Sequence, residues 1–153
     1  MIIIYSVLII IADQITKILA YSFLRPIKSL DFIPYVIGFN YVENTGIAFG
    51  LFKDMYYLFV PLGLVIVVCG YYYMLKYTKK SEKLLRCGGT MMLAGAIGNI
   101  IDKIFRGFVV DFLEFEFVNF PVFNVADIFV TVGAVIVAVA ILLRKENNSE
   151  DNL

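Results

Sequence analysis

Four apolar stretches, each close to the ~20 residues that cross a hydrocarbon core as a helix, constrain this chain more than any other feature. They lie at about 2–23, 56–77, 84–105 and 122–143. Lipid offers backbone N–H and C=O groups no partner, so segments of this length cross as helices that bond internally. With 61% hydrophobic and 17% charged residues among 153, the spans use up most of the chain and leave room for one domain. The expected architecture is an all-α membrane protein, a four-transmembrane-helix bundle forming a single domain over 1–153. The polar end ENNSEDNL, 146–153, reads as a disordered tail. The start, MIIIYSVLII, has no basic segment ahead of its apolar run and carries Asp13 and Lys17 within it, so it reads as a retained first helix.

Lys76, Lys79, Lys80, Lys83 and Arg86 lie between the second and third spans, and Arg144 and Lys145 follow the fourth. The positive-inside rule places both groups in the cytoplasm. Four spans then put both termini inside and the other two connections outside. The first of these, with PYVIGFNYVENTGIAFG, has strand-forming residues broken by glycine and predicts a small extracytoplasmic β-sheet. In the second, FVVDFLEFEF, period 2 sets Val109, Asp111, Leu113 and Phe115 on one face and Glu114 and Glu116 on the other, away from Asp111. Formal charge is zero and the basic residues form short clusters rather than a groove, which excludes nucleic-acid binding. Cys69 and Cys87 have neither metal-site nor disulfide spacing and read as buried packing residues.

The chain has no histidine, so Ser-His-Asp and Cys-His catalysis are out of reach and the commonest zinc ligand is missing. An ionisable residue inside a span costs a few kcal/mol on insertion scales, so each one calls for a partner or a task. Asp13 and Lys17 stand at i and i+4, Asn99 and Asp102 at i and i+3, Asp102 and Arg106 at i and i+4, and Asn124 and Asp127 at i and i+3. At ~1.5 Å per residue, Asp13 lies ~18 Å from the inner start of its helix and Asn99 ~20 Å beyond Arg86. Asp127 opens a helix running inward, and Asp111 and Asn44 sit on the outer connections. All of these groups therefore gather at one level, near the outer leaflet.

Each residue also has a plainer role. Asp13 with Lys17, or Asp102 with Arg106 or Lys103, can be a neutralised pair; Asn99 and Asn124 can be interhelical hydrogen-bond glue; Asp127 can cap its helix. Asp111, on an apolar strand face with no basic neighbour in sequence, is the hardest to explain that way. Two close carboxylates cannot both ionise, so they share a proton, one acting as base on a water and the other as acid. Asp111 and Asp127, outside the obvious ion pairs, are the most available couple, and this chemistry needs no metal. A Ser-Lys dyad of Ser6 or Ser22 with Lys17 has the wrong helical spacing. A small proton or cation transporter using the same acids is the rival class, although no repeated halves support it. Composition and spacing leave peptidase and transporter both open.

DQITK, NTGIAFG, GNIIDK, VVDF and FNVAD, in this order and spacing from the first span to the fourth, resemble the motifs of the lipoprotein signal peptidases. The resemblance implies a four-helix membrane bundle with a small outward-facing sheet and a short surface helix. It also implies an aspartic endopeptidase of the bacterial cytoplasmic membrane that acts without a cofactor, its substrates being diacylglyceryl-modified prolipoproteins met among membrane lipid and cut before the lipidated cysteine. Asp111 and Asp127 would be the catalytic pair, and Asp13, Lys17, Asn44, Gly46, Asn99, Asp102, Asn124 and Ala126 would take supporting positions. Since the site is complete within one chain, a monomer is expected. The aromatic first connection, hinged at Gly38, Gly46 and Gly50, would close over the site. One position departs from the pattern: Lys103 stands where the family commonly has arginine, keeping the charge and losing the planar fork, so it is left out of the expected site.

Overall fold

The structure, a computed structural model, describes residues 2–46, 56–79 and 81–150. Four helices long and apolar enough to cross a membrane account for most of the described residues. The first is α1 (Ile2–Leu19), which runs through a π-helical segment, Ala20–Leu24, into one further turn, α2 (Arg25–Ile27). The others are α3 (Tyr56–Tyr77), α4 (Lys83–Arg106) and α5 (Val125–Glu150). The fourth span thus starts three residues later than expected, because Pro121 to Asn124 form an extended lead-in bonded back to Leu113. Its helical backbone also continues into the stretch read as a disordered tail, since extending an existing helix is far easier than starting one; residues 151–153 lie outside the described residues.

The expected sheet is present, with β1 (Ser29–Ile33), β2 (Ile37–Asn44) and β3 (Val109–Phe115) in the antiparallel order β1-β2-β3. It joins the connection after the first span to the one before the fourth, with Val42 opposite Asp111 and Asn44 opposite Val109. The π segment carries Ala20 and Leu24 against Val110, Phe112 and Tyr41, locking the sheet onto the top of α1. The face of β3 opposite Asp111 is therefore buried at Val110 and Phe112 and leaves the protein only toward Glu116. Gly38 is a paired strand residue rather than a hinge: a Cβ there would come within 2.6 Å of Glu116 Oε1, and Glu116 instead accepts the Tyr35 N–H at 2.7 Å. Residues 47–55, which include Phe49 and Gly50 of the expected closing loop, lie outside the described residues.

Within the bundle α4 is central, touching α1, α3 and α5. Its closest approach is to α5, where a Cβ on Gly133 would lie 2.6 Å from both the Gly88 carbonyl oxygen and the Met92 nitrogen. Small residues permit such backbone contact, and dispersion across it drives association where lipid competes for every apolar surface. The expected outcome for Gly133→Leu is a loss of roughly 1–3 kcal/mol or more by overpacking, read as a lower unfolding midpoint in detergent; an unchanged midpoint would show that the two helices slide apart freely. Cys69 and Cys87 are both exposed, against the expectation of buried packing. In a membrane bundle the apolar exterior is as suitable for a thiol as the core, so an apolar flank does not signal burial.

Candidate active site

Five elements converge where one end of the helix bundle meets the sheet. The N-terminus of α5 is the keystone. Asn124 caps it: its Oδ1 accepts the Asp127 N–H at 3.0 Å, and Asp127 Oδ2 accepts the Asn124 N–H at 3.1 Å, a reciprocal capping box. The Ala126 N–H is taken by Asp13 Oδ1 from α1 at 2.9 Å. The plain reading of Asp127 as a cap is therefore correct, and it does not use the group up. Asp127 is only half-buried, and its Oδ1 receives the Asn99 side-chain amide at 2.7 Å.

Asp111 is 2% exposed. Its two carboxyl oxygens accept from Asn44 Nδ2 at 2.9 Å and Asn124 Nδ2 at 2.6 Å. Burial pushes its pKa from 3.8 up to about 7, partly countered by the Asn44 amide and reinforced by the negative charge of Asp127. The two acids expected to work together thus lie within electrostatic reach and share Asn124, which donates to one and caps the helix carrying the other.

Below them sits a closed ionic cluster. Lys17, fully buried, places its ammonium 3.0 Å from Asp13, 3.2 Å from Asp102 and 2.7 Å from Asn99 Oδ1. Three donors meet three acceptors. Arg106 pairs with Asp102, whose other oxygen accepts the Val110 N–H at 3.1 Å, so two acids and two bases cancel. Lysine can only donate, so the Asn99 carbonyl faces Lys17 and its amide faces Asp127. Both plain expectations, ion pair and interhelical glue, hold here, and together they orient the acid.

All ten expected site residues fall in this one region. Gly46 closes an Asx turn, donating its N–H to Asn44 Oδ1 at 3.0 Å, which aims the Asn44 amide at Asp111. Three participants were missed. Gln14 bridges Asp13, Asp102 and the Gly98 carbonyl, each at 3.2 Å; a polar residue beside Asp13 on a span was the available signal. Gly98 leaves room for Asp13, since a Cβ there would sit 2.5 Å from Asp13 Oδ2. Lys103, left out of the expected site, donates to the Gly46 carbonyl at 2.8 Å and is pulled by the charges of Asp111 and Asp127. Its charge beside GNIID was visible, but its direction was not. No cluster that could hold a metal ion occurs among the described residues.

The family model for signal peptidase (SPase) II matches residues 5–143. A lipoprotein signal peptidase of Latilactobacillus sakei subsp. sakei is 40% identical over 151 residues, covering 94% of this chain and 95% of the relative. One of Clostridium novyi is 38% identical over 136 residues, covering 87% and 91%. Two solved structures, each described as a bacterial membrane enzyme, are 28% identical. Their TM-scores are 0.89, covering 95% of this chain and 90% of that one, and 0.84, covering 92% of each.

Proposed function

The chain belongs to the signal peptidase II family, a multi-pass membrane peptidase of lipoprotein signal peptides, and we propose that it works as an intramembrane aspartic endopeptidase in which Asp111 and Asp127 act on one water. The observation that carries this reading is the contrast between the acids. Asp13 and Asp102 are consumed by cations, whereas Asp111 and Asp127 receive only neutral N–H donors in direct hydrogen bonds. Each of their oxygens keeps a lone pair for a water or a shared proton.

One acid, ionised, removes a proton from the water as it attacks the scissile carbonyl, while the other, protonated, gives its proton to the carbonyl oxygen; the first then passes the water's proton to the leaving amine as the C–N bond breaks, and the second recovers its proton as the carbonyl re-forms. The amides of Asn44, Asn99 and Asn124 hold both carboxyls in place through the cycle. The cut is made before a cysteine carrying a diacylglyceryl group, and each buried methylene of that lipid contributes ~0.8 kcal/mol to keeping substrate in the bilayer. A site at the outer level of the spans meets such a substrate directly. Basic residues around Lys76 to Arg86 and at Arg144 support cytoplasmic termini in the bacterial inner membrane, and a site built wholly from one chain supports a monomer.

The direct test is cleavage of a diacylglyceryl-modified prolipoprotein by purified protein in detergent with a metal chelator present. Cleavage before the lipidated cysteine is expected. Absence of cleavage together with proton or cation flux in liposomes would transfer the acids to a transport path. The pH profile is a second expectation. The working pair holds one proton, and the higher of its two ionisations is set by Asp111 at about 7. Turnover should therefore decline as pH rises through the neutral range and the last shared proton is lost. A rate still climbing well above pH ~8 would assign the proton elsewhere.

A further inference from the structure

We propose that Lys103 is the countercharge of the carboxylate pair and, through Gly46 and Asn44, a positioning residue for Asp111. The inference rests on the aspartic reading above. Its first ground is charge balance. Asp13, Lys17, Asp102 and Arg106 pair among themselves, two acids with two bases, and leave no charge over. Asp111 and Asp127 stand outside that set, and a pair of acids sharing one proton carries one net negative charge. Lys103, on the same turn of α4 as Asp102, takes no part in the balanced set. Its ammonium is half-buried, bonds one neutral carbonyl, and lies within Coulombic reach of Asp111 and Asp127 together. A partly desolvated ammonium with one neutral acceptor is favoured in its charged form by a negative neighbour. The pair supplies it, and Lys103 in turn makes the pair neutral as a whole.

The second ground is a continuous run of bonds. Lys103 Nζ holds the Gly46 carbonyl at 2.8 Å, the Gly46 N–H holds Asn44 Oδ1 at 3.0 Å, and Asn44 Nδ2 holds Asp111 Oδ2 at 2.9 Å. Lys103 thus anchors the end of β2 to α4 at the point where its amide meets the buried acid. The groups facing Asp111 are Asp127 from α5, Lys17 from α1, Lys103 from α4 and the neutral amides Asn44 and Asn124. Lys17 also acts on Asp111 but is already shared between Asp13 and Asp102, so Lys103 is the nearby cation outside the balanced set. Because lysine here contacts one acceptor, the position supplies charge and a single anchor rather than a planar fork.

The test compares the unaltered protein with Lys103→Arg, Lys103→Met and Lys103→Gln in detergent, by two readouts. One is the pH profile of kcat/KM on diacylglyceryl-modified prolipoprotein. The other is an infrared titration of the carboxyl band that Asp111→Asn removes, which needs no turnover. Loss of the cation favours the protonated acid, so Met and Gln should both move the profile and the Asp111 midpoint upward by roughly one pH unit, and Arg should leave them in place. Gln can keep the Gly46 bond, so a smaller loss of kcat in Gln than in Met reports the anchoring role separately from the charge. A midpoint unmoved in Met and Gln overturns the proposal, as does one moved equally in Arg; should Met fail to fold, Gln decides it. Failure of the aspartic reading looks different: Asp111→Asn still cleaves, whatever the infrared midpoints do.

Discussion

Asparagine at position 111 or 127 is expected to lower cleavage of a diacylglyceryl-modified prolipoprotein by at least ~10³-fold, with both variants still folded. The size follows from the proposed action of the two acids as one unit, since removing either member of such a unit loses nearly all that the unit contributes. Retention of the fold follows from the electrostatics of each site. Asp111 has its folded pKa near 7, above the ordinary 3.8, so what it contributes to stability is fully present below the ordinary value and is lost as pH rises through 7. That loss amounts to roughly 1.4 kcal/mol per unit of displacement, and Asp111→Asn relieves it at neutral pH. Against the relief, an asparagine amide would face either Asn44 Nδ2 or Asn124 Nδ2, two donors opposed, at a cost of about 1–3 kcal/mol. At neutral pH the relief is at least as large as this cost, so Asp111→Asn should not lower the unfolding midpoint. Asp127→Asn loses part of the α5 cap, about 1 kcal/mol, and meets the Asn99 amide or the Asn124 N–H with a donor. Activity and unfolding measured on the same preparations decide the matter. A folded variant that keeps more than a tenth of the activity would remove that acid from the chemistry.

Lys17→Met is expected to destabilise the fold by about 3–5 kcal/mol, the range for taking one partner from a buried charge cluster. The ammonium is fully buried and holds Asp13, Asp102 and Asn99 at once. Without it, two acids remain against Arg106 alone, and one uncompensated charge stays in an apolar surrounding. Lys17→Met combined with Asp13→Asn restores neutrality and should recover part of the loss, since the asparagine carbonyl can still take the Ala126 N–H. Catalysis should not recover to the same extent, because the Asn99 carbonyl has lost the donor that directs its amide at Asp127. Unfolding and turnover of the single and double variants in detergent separate the two effects. Equal stability of Lys17→Met and the unaltered chain would mean that the cluster is bathed in water and contributes no structure.

Apolar length and period were legible from the amino-acid order because both are local. The four spans follow from runs of residues that lipid accepts, and the placing of Asp111 on an apolar strand face follows from alternation within VVDFLEF. The pairing of Asp13 with Lys17 and of Asp102 with Arg106 is likewise one helical turn read along one helix. Expectations failed where a local rule met a distant constraint. Cys69 and Cys87 are exposed because the surface of this bundle is itself apolar, and Gly38 is a strand residue because it pairs with Asp31 on one side and Glu114 on the other.

The amino-acid order by itself determined the spans, the level at which the ionisable groups gather, and, through five motifs in register, the family. Tertiary structure alone decided what each group touches. Asp13 caps a helix whose bonded residue lies 113 positions away, Asn44 reaches Asp111 across 67, and Lys103 reaches Gly46 across 57. The division has a physical cause. Crossing a membrane depends on the sum of transfer energies along a segment, whereas aiming a carboxylate depends on which donors lie within ~3 Å of it, and that is set only when helices and sheet have packed.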